Sequence, residues 1–94
     1  MQRPSQLTRL IWDFYRENQN ELQQLQPLGK CKVFRRWGVL HIKCVNLDLA
    51  EAVVATKNLL KEPISQMRLA QTIKISFNNI TIAVFPINSD TIMA

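Results

Sequence analysis

The sequence predicts an α+β fold in which two helices pack on one face of a four-stranded antiparallel sheet. In two segments the apolar residues recur with helical spacing, and in two others apolar and polar residues alternate around a short turn. These segments follow the order helix, hairpin, helix, hairpin. The length of 94 residues suits a single compact domain, residues 1–94, and the low content of 2 Gly and 4 Pro is typical of a folded chain.

The first predicted helix covers residues 5–26. Its apolar residues form one stripe: Leu7, Ile11, Phe14, Leu22 and Leu25. Pro27 and Gly29 end the helix, because proline has no amide hydrogen for the helical ladder and glycine accepts the left-handed conformation that follows many helices. We expect Trp12 and Tyr15 to be partly buried against the sheet or a nearby loop rather than to bind a partner.

Residues 30–45 predict the first hairpin, with its turn at Trp37 and Gly38. In the register of a two-residue turn the core positions face one another: Val33 and Ile42, Cys31 and Cys44, with Leu40 beside them. Alternation along the strands sends the other side chains to the outer face: Lys32, Phe34, Arg36, Val39, His41 and Lys43. Because tryptophan is unfavourable at a turn position with positive φ, a bulge at Gly38 that shifts the register by one residue is the alternative.

The second predicted helix covers residues 48–61. Asp48 and Glu51 have the spacing of a capping box, so we interpret both as helix caps rather than as catalytic carboxylates. One apolar face follows them: Leu49, Val53, Thr56 and Leu60. Pro63 starts either a further short helical turn or a kinked continuation of the same helix.

Residues 72–87 predict the second hairpin, with Asn78 and Asn79 as the turn, because asparagine tolerates the left-handed conformation. This register pairs core residues across the strands: Ile75 with Ile82, and Ile73 with Val84. It leaves four side chains on the outer face: Lys74, Ser76, Thr81 and Phe85. Pro86 indicates a strand at the edge of the sheet, or the end of that strand.

Charge is concentrated on the first hairpin. The chain has 12 Lys and Arg against 7 Asp and Glu, a net charge of +5. No acid occurs between Glu21 and Asp48, whereas five cations do: Lys30, Lys32, Arg35, Arg36 and Lys43. A local positive potential of this kind favours anionic partners.

The sequence has no signature of an enzyme or of a cofactor site. It contains one His and no glycine-rich phosphate loop, and no acid, base and nucleophile can be assembled, so we expect no enzymatic activity, no cofactor and no small-molecule substrate. His41 and Cys44 are three positions apart and therefore point to opposite faces of a strand, which argues against a zinc site. We expect both cysteines to be reduced and to pack as small apolar residues.

Membrane association is also unexpected. The N-terminal residues lack the apolar run of a signal peptide, and the longest uncharged stretch, residues 75–89, has the wrong pattern and length to span a bilayer. The first helix carries nearly balanced charges, unlike a helix that binds a membrane surface. These features predict a cytoplasmic protein without a membrane partner.

The basic and aromatic residues of the hairpins predict nucleic-acid binding. Bases stack on aromatic rings and phosphates pair with Lys and Arg, so an open sheet face that displays both suits a single strand, and a hairpin tip can alternatively enter a duplex groove. The candidate residues are Lys32, Phe34, Arg35, Arg36, Trp37, His41, Lys43 and Lys74.

The alternative is a protein-interaction module, either an adaptor or a homo-oligomer, whose open sheet face or edge strand is covered by another chain. In that case Phe34 and Phe85 would form the centre of the interface, with the charged residues at its rim. Salt separates the two hypotheses, because phosphate contacts weaken steeply with salt and an apolar interface does not.

Overall fold

The computed structural model describes residues 5–87. The described chain forms α-helices, one short 3₁₀ helix (Gln26–Lys30) and one four-stranded sheet. The helices are α1 (Gln6–Phe14), α2 (Gln19–Gln24), α3 (Leu47–Val54) and α4 (Lys57–Gln66). The strands are β1 (Lys32–Arg36), β2 (Val39–Cys44), β3 (Thr72–Phe77) and β4 (Ile80–Pro86).

The sheet is mixed, with strand order β1-β2-β3-β4. Each hairpin is antiparallel, as predicted, but β2 and β3 lie side by side in parallel. The prediction of a purely antiparallel sheet is therefore wrong at its centre. The physical reason is the connection: α3 and α4 both lie between β2 and β3, and a crossover of roughly a dozen residues or more allows two strands to pair in parallel.

The first hairpin has the predicted register, with Val33 opposite Ile42 and no bulge at Gly38. Trp37 and Gly38 both have positive φ, 56° and 75°, the conformation of the tight turns that match the twist of a hairpin. On the core side of this hairpin the Cys31 and Cys44 sulfurs lie 3.5 Å apart. The predicted inward and outward faces of this hairpin are confirmed.

The second hairpin departs from its predicted register. Asn78 and Asn79 form the predicted turn, with φ of 54° and 65°. A bulge then shifts the pairing, so that Ile75 lies opposite Ala83 instead of Ile82, and Ile73 lies opposite Phe85 instead of Val84. One extra residue exchanges the two faces of the strand beyond it. Phe85 therefore belongs to the helix-covered side, and Val84 is exposed on the other side.

The first predicted helix is divided into α1, α2 and the 3₁₀ helix. Its predicted start at Ser5 is confirmed, since the Ser5 hydroxyl accepts from the Thr8 amide at 3.2 Å. The break after α1 buries Tyr15, whereas Phe14, a predicted core residue, is 38% exposed. Trp12 is partly buried, as expected, and its indole Nε1 donates to the Leu25 carbonyl at 2.9 Å.

The second predicted helix is also divided, into α3 and α4. Its N-cap is Asn46, whose side-chain oxygen accepts from the Leu49 amide at 2.7 Å. The predicted capping box is thus wrong by two residues, and Asp48 lies within the first turn of α3, where a negative charge complements the helix dipole. Pro63 lies inside α4, so it does not start a new helical turn, and the helix continues through it as in the second of the two alternatives.

The hydrophobic core lies between the helices and one face of the sheet. Its fully buried members come from both layers: Ile11, Leu25, Leu28, Leu40, Ile42, Leu60, Ile64, Ile73 and Ile75. Every strand except β4 contributes at least one buried apolar side chain to it. None of the helices within residues 5–87 is both long enough and apolar enough to cross a bilayer.

Candidate nucleic-acid interface

The sheet face opposite the core is called the open face here. Strand pairing arranges its side chains in three rows that cross the sheet. The first row is Lys32, Lys43, Ser76 and Thr81; the second is Phe34, His41, Lys74 and Val84; the third is Arg36, Val39, Thr72 and Pro86. Most of the predicted binding residues therefore share one surface.

An aromatic pair occupies the middle of the open face on β1 and β2. Phe34 and His41 are direct cross-strand partners, and their rings stack with centroids 4.8 Å apart and planes 9° apart. The ammonium groups of Lys32 and Lys43 lie 6.0 and 5.6 Å from the Phe34 ring centroid, within cation–π range. The hairpin thus presents flat rings with positive charge beside them.

The cations of the open face have no acidic partner among residues 5–87, where the only ion pair joins Arg16 to Asp13 near the end of α1. Lys32 and Lys43 even lie directly opposite each other, an arrangement of like charges that destabilises a sheet. A bound anion would relieve this repulsion. The open face is therefore suited to phosphate groups in electrostatic terms.

The positive charge of the open face affects the pKa of His41. Partial burial lowers its pKa below the ordinary value for histidine, and the nearby cations Lys74, Lys43 and Arg36 lower it further. The imidazole is accordingly neutral at neutral pH. An anion bound among these cations would offset their effect and raise the pKa of His41 again.

A hollow of about 260 Å³ lies on the open face beside the aromatic pair. Its walls include His41 and Lys43 from β2 and Lys74 from β3. Three uncharged polar side chains complete it: Ser76, Asn79 and Thr81. The hollow therefore combines an aromatic wall, cations, and groups that can donate and accept hydrogen bonds.

Trp37 projects from the tip of the first hairpin and is 87% exposed. Its positive φ of 56° is costly for a bulky residue, and exposure of the indole leaves apolar surface in water. Strained backbone that carries an exposed aromatic group is a feature of binding sites.

Arg35 lies apart from the other candidates. It alternates to the helix-covered side of β1, where its guanidinium Nη1 donates to the Leu69 carbonyl at 3.0 Å just after α4. A neighbouring cleft also contains Arg68. Arg35 therefore anchors the hairpin to the segment that follows α4, and we do not include it in the open face.

The three candidate metal ligands do not converge. His41 lies on the open face, whereas Cys31 and Cys44 are buried on the core side. Residues 5–87 hold no cluster of three or more His, Cys, Asp or Glu side chains that could bind a metal ion.

Asn79 and Val84 are among the residues of this surface that sequence reasoning missed. Asn79 was assigned only to a turn, although it lines the hollow. Val84 was assigned to the core, and the bulge moves it to the open face, where it is 57% exposed. No local sequence pattern marks the position of that bulge.

Comparison with known families, with curated proteins and with solved structures finds no match for this chain. The open face is therefore the feature of this chain that bears on its function.

Proposed function

We propose that this chain is a non-enzymatic nucleic-acid-binding protein that binds a single strand on its open face. One observation carries the proposal: cations that have no acidic partner among residues 5–87 surround a stacked aromatic pair on a sheet face free of the described helices. Bases stack on such rings and phosphates pair with such cations, and together they bind strands with little sequence preference.

The arrangement favours a single strand over a duplex. Phe34 and His41 stack on each other on the open face, where an unpaired base can extend the stack but a base paired inside a helix cannot. Trp37 at the hairpin tip adds a second aromatic group near the same end as Arg36. Insertion of that tip into a duplex groove is the other mode of nucleic-acid binding that this hairpin supports.

A second candidate function is self-association through β4. This edge strand exposes Ile80 and Val84 by 58% and 57% and has no charged residue. An uncharged, apolar edge strand is a template for pairing with another chain. The interface predicted from the sequence, with Phe34 and Phe85 at its centre, is less favoured. Phe85 lies on the helix side beneath Lys57 and Lys61 and does not share a face with Phe34.

The experiment is a titration of the purified protein against fluorescent single-stranded and duplex oligonucleotides at low and high salt. We expect micromolar or tighter binding of the single strand, with quenching of tryptophan fluorescence and a loss of at least about tenfold in affinity as the salt concentration rises. Absence of binding at low salt would refute the proposal. Concentration-dependent self-association that is insensitive to salt would support the β4 alternative instead.

Matched charge variants locate the site. Arg36→Gln with Lys43→Gln removes two charges from the open face, whereas Arg9→Gln with Lys57→Gln removes two from the helices. We expect the first pair to weaken binding about tenfold or more and to flatten the salt dependence, and the second pair to have a small effect. Equal losses in both pairs would mean that net charge, and not the open face, governs binding.

A further inference from the structure

We propose that the hollow on the open face holds one unstacked nucleobase against the Phe34–His41 pair, with the phosphate of the same nucleotide between Lys43 and Lys74. The inference rests on the proposed function and deepens it, because it assigns a ligand and a pose to one part of the open face.

The aromatic wall is the first support. His41 lines the hollow and already stacks on Phe34 with planes only 9° apart. A planar base that enters beside His41 continues this stack as its third ring. Base–aromatic stacking accepts every base, because each has a flat π-face.

The cations at the rim are the second support. Lys74 is the cross-strand neighbour of His41, and Lys43 lies two residues along β2 on the same face. Both lysines line the hollow, as does Arg36. The phosphate of a nucleotide whose base stacks on His41 can therefore lie between positive charges.

The polar floor is the third support. Ser76 and Thr81 are cross-strand partners whose side chains both line the hollow, and Ser76 is only 9% exposed. The Asn79 amide lines the same hollow from the turn. Hydroxyl and amide groups donate as well as accept, so they can pair with the edge of any base without a charge penalty.

The size of the hollow limits the ligand. Its volume of about 260 Å³ lies below the range of roughly 300–1,000 Å³ that accommodates drug-sized molecules. The hollow is thus on the scale of a single nucleotide rather than of a larger ligand. A base that stacks on His41 must first leave its stack in a helix, so a duplex would be bound less well than a single strand on this face.

The test compares nucleoside 5′-monophosphates with ribose 5-phosphate, which carries the same phosphate but no base, by NMR titration of the folded protein. We expect the nucleotides to bind at least about tenfold more tightly and to shift the Phe34 and His41 ring signals through the ring current of the base. Equal affinities, or unchanged ring signals, would overturn the inference and leave an anion site alone.

Two substitutions sharpen the test. His41→Ala removes the stacking surface, whereas His41→Phe keeps a ring at that position, so we expect the first to abolish the preference for nucleotides over ribose 5-phosphate and the second to retain it. Loss of the preference in both variants would contradict stacking. If oligonucleotides bind at low salt and nucleotides do not shift the ring signals, this inference fails and the proposed function stands. If neither binds, both fail.

Discussion

The Tyr15 hydroxyl donates to the Leu59 carbonyl at 2.8 Å, across 44 residues of sequence. Leu59 lies four residues before Pro63 inside α4, so its carbonyl is the one that proline leaves without a main-chain donor. Tyr15 supplies that donor from the break after α1. Burial raises the pKa of Tyr15, and the carboxylates of Glu62 and Glu21 raise it further, so the phenol keeps its proton. One hydrogen bond thus explains how α4 accommodates an internal proline.

Tyr15→Phe tests this relationship. We expect the variant to lose about 1–2 kcal/mol in free energy of unfolding, because the Leu59 carbonyl is left without a donor. Urea denaturation followed by tryptophan fluorescence measures the loss. In the Pro63→Ala background a main-chain amide can donate to Leu59, so the same tyrosine substitution should cost less there. An equal loss of stability in both backgrounds would show that the Tyr15 hydrogen bond does not compensate for the amide that Pro63 lacks.

Trp37→Asn is expected to separate stability from binding. Asparagine adopts positive φ more readily than tryptophan, and Trp37 is 87% exposed, so the variant should gain about 0.5–1 kcal/mol in free energy of unfolding. Under the proposed function it should also bind single-stranded oligonucleotide less tightly. Denaturation and anisotropy titrations measure the two effects. A variant that loses stability would show that the indole packs on the domain.

Protonation of His41 at lower pH should decrease the stability of the free protein and increase its affinity for a phosphate. Burial and the cations Lys74, Lys43 and Arg36 lower its pKa in the folded state, so protonation favours the unfolded chain. Stability should therefore decrease as pH falls from about 7.5 to about 5.5. A bound phosphate favours the protonated imidazole, so affinity should increase over the same range. Both slopes should shrink in His41→Phe, and an unchanged binding slope would exclude this histidine as its source.

The cysteine pair should be slow to react. Burial raises the pKa of Cys44, and it raises the pKa of Cys31 together with the hydrogen bond that joins the two thiols. Less thiolate is then present at neutral pH, and both sulfurs lie in the core. We expect alkylation by iodoacetamide to be more than about tenfold slower in the native protein than in urea, as measured by mass spectrometry. Similar rates would indicate that the hairpin opens readily.

Much of the open face was predictable from the sequence because its cause is local. Alternation along residues 32–43, together with the turn at Trp37 and Gly38, assigns Phe34, His41 and Lys43 to one face without reference to the rest of the chain. The same logic gave the turn at residues 78–79. These features depend on side-chain period and turn conformation, which act over a few residues.

Tertiary packing decided the remainder. Ala83 faces Ile75, and Phe85 lies beneath Lys57 and Lys61 of α4, so the bulge fits β4 to the core and helices at the expense of strict alternation. Likewise, the break after α1 lies at Tyr15, whose hydroxyl donates to the Leu59 carbonyl of α4. Such contacts join residues that are distant in the chain, and no short pattern records them.

The sequence by itself determined the hairpins, their turns and the basic, aromatic surface of the first one. Only the tertiary structure decided that β2 and β3 pair in parallel, which brings Lys74 beside His41 and Ser76 beside Lys43. Within a hairpin, the short turn determines which residues lie side by side. Neighbours between hairpins follow from the helical crossover and from the apolar surface that it buries, and the hollow on the open face exists because of that second kind of contact.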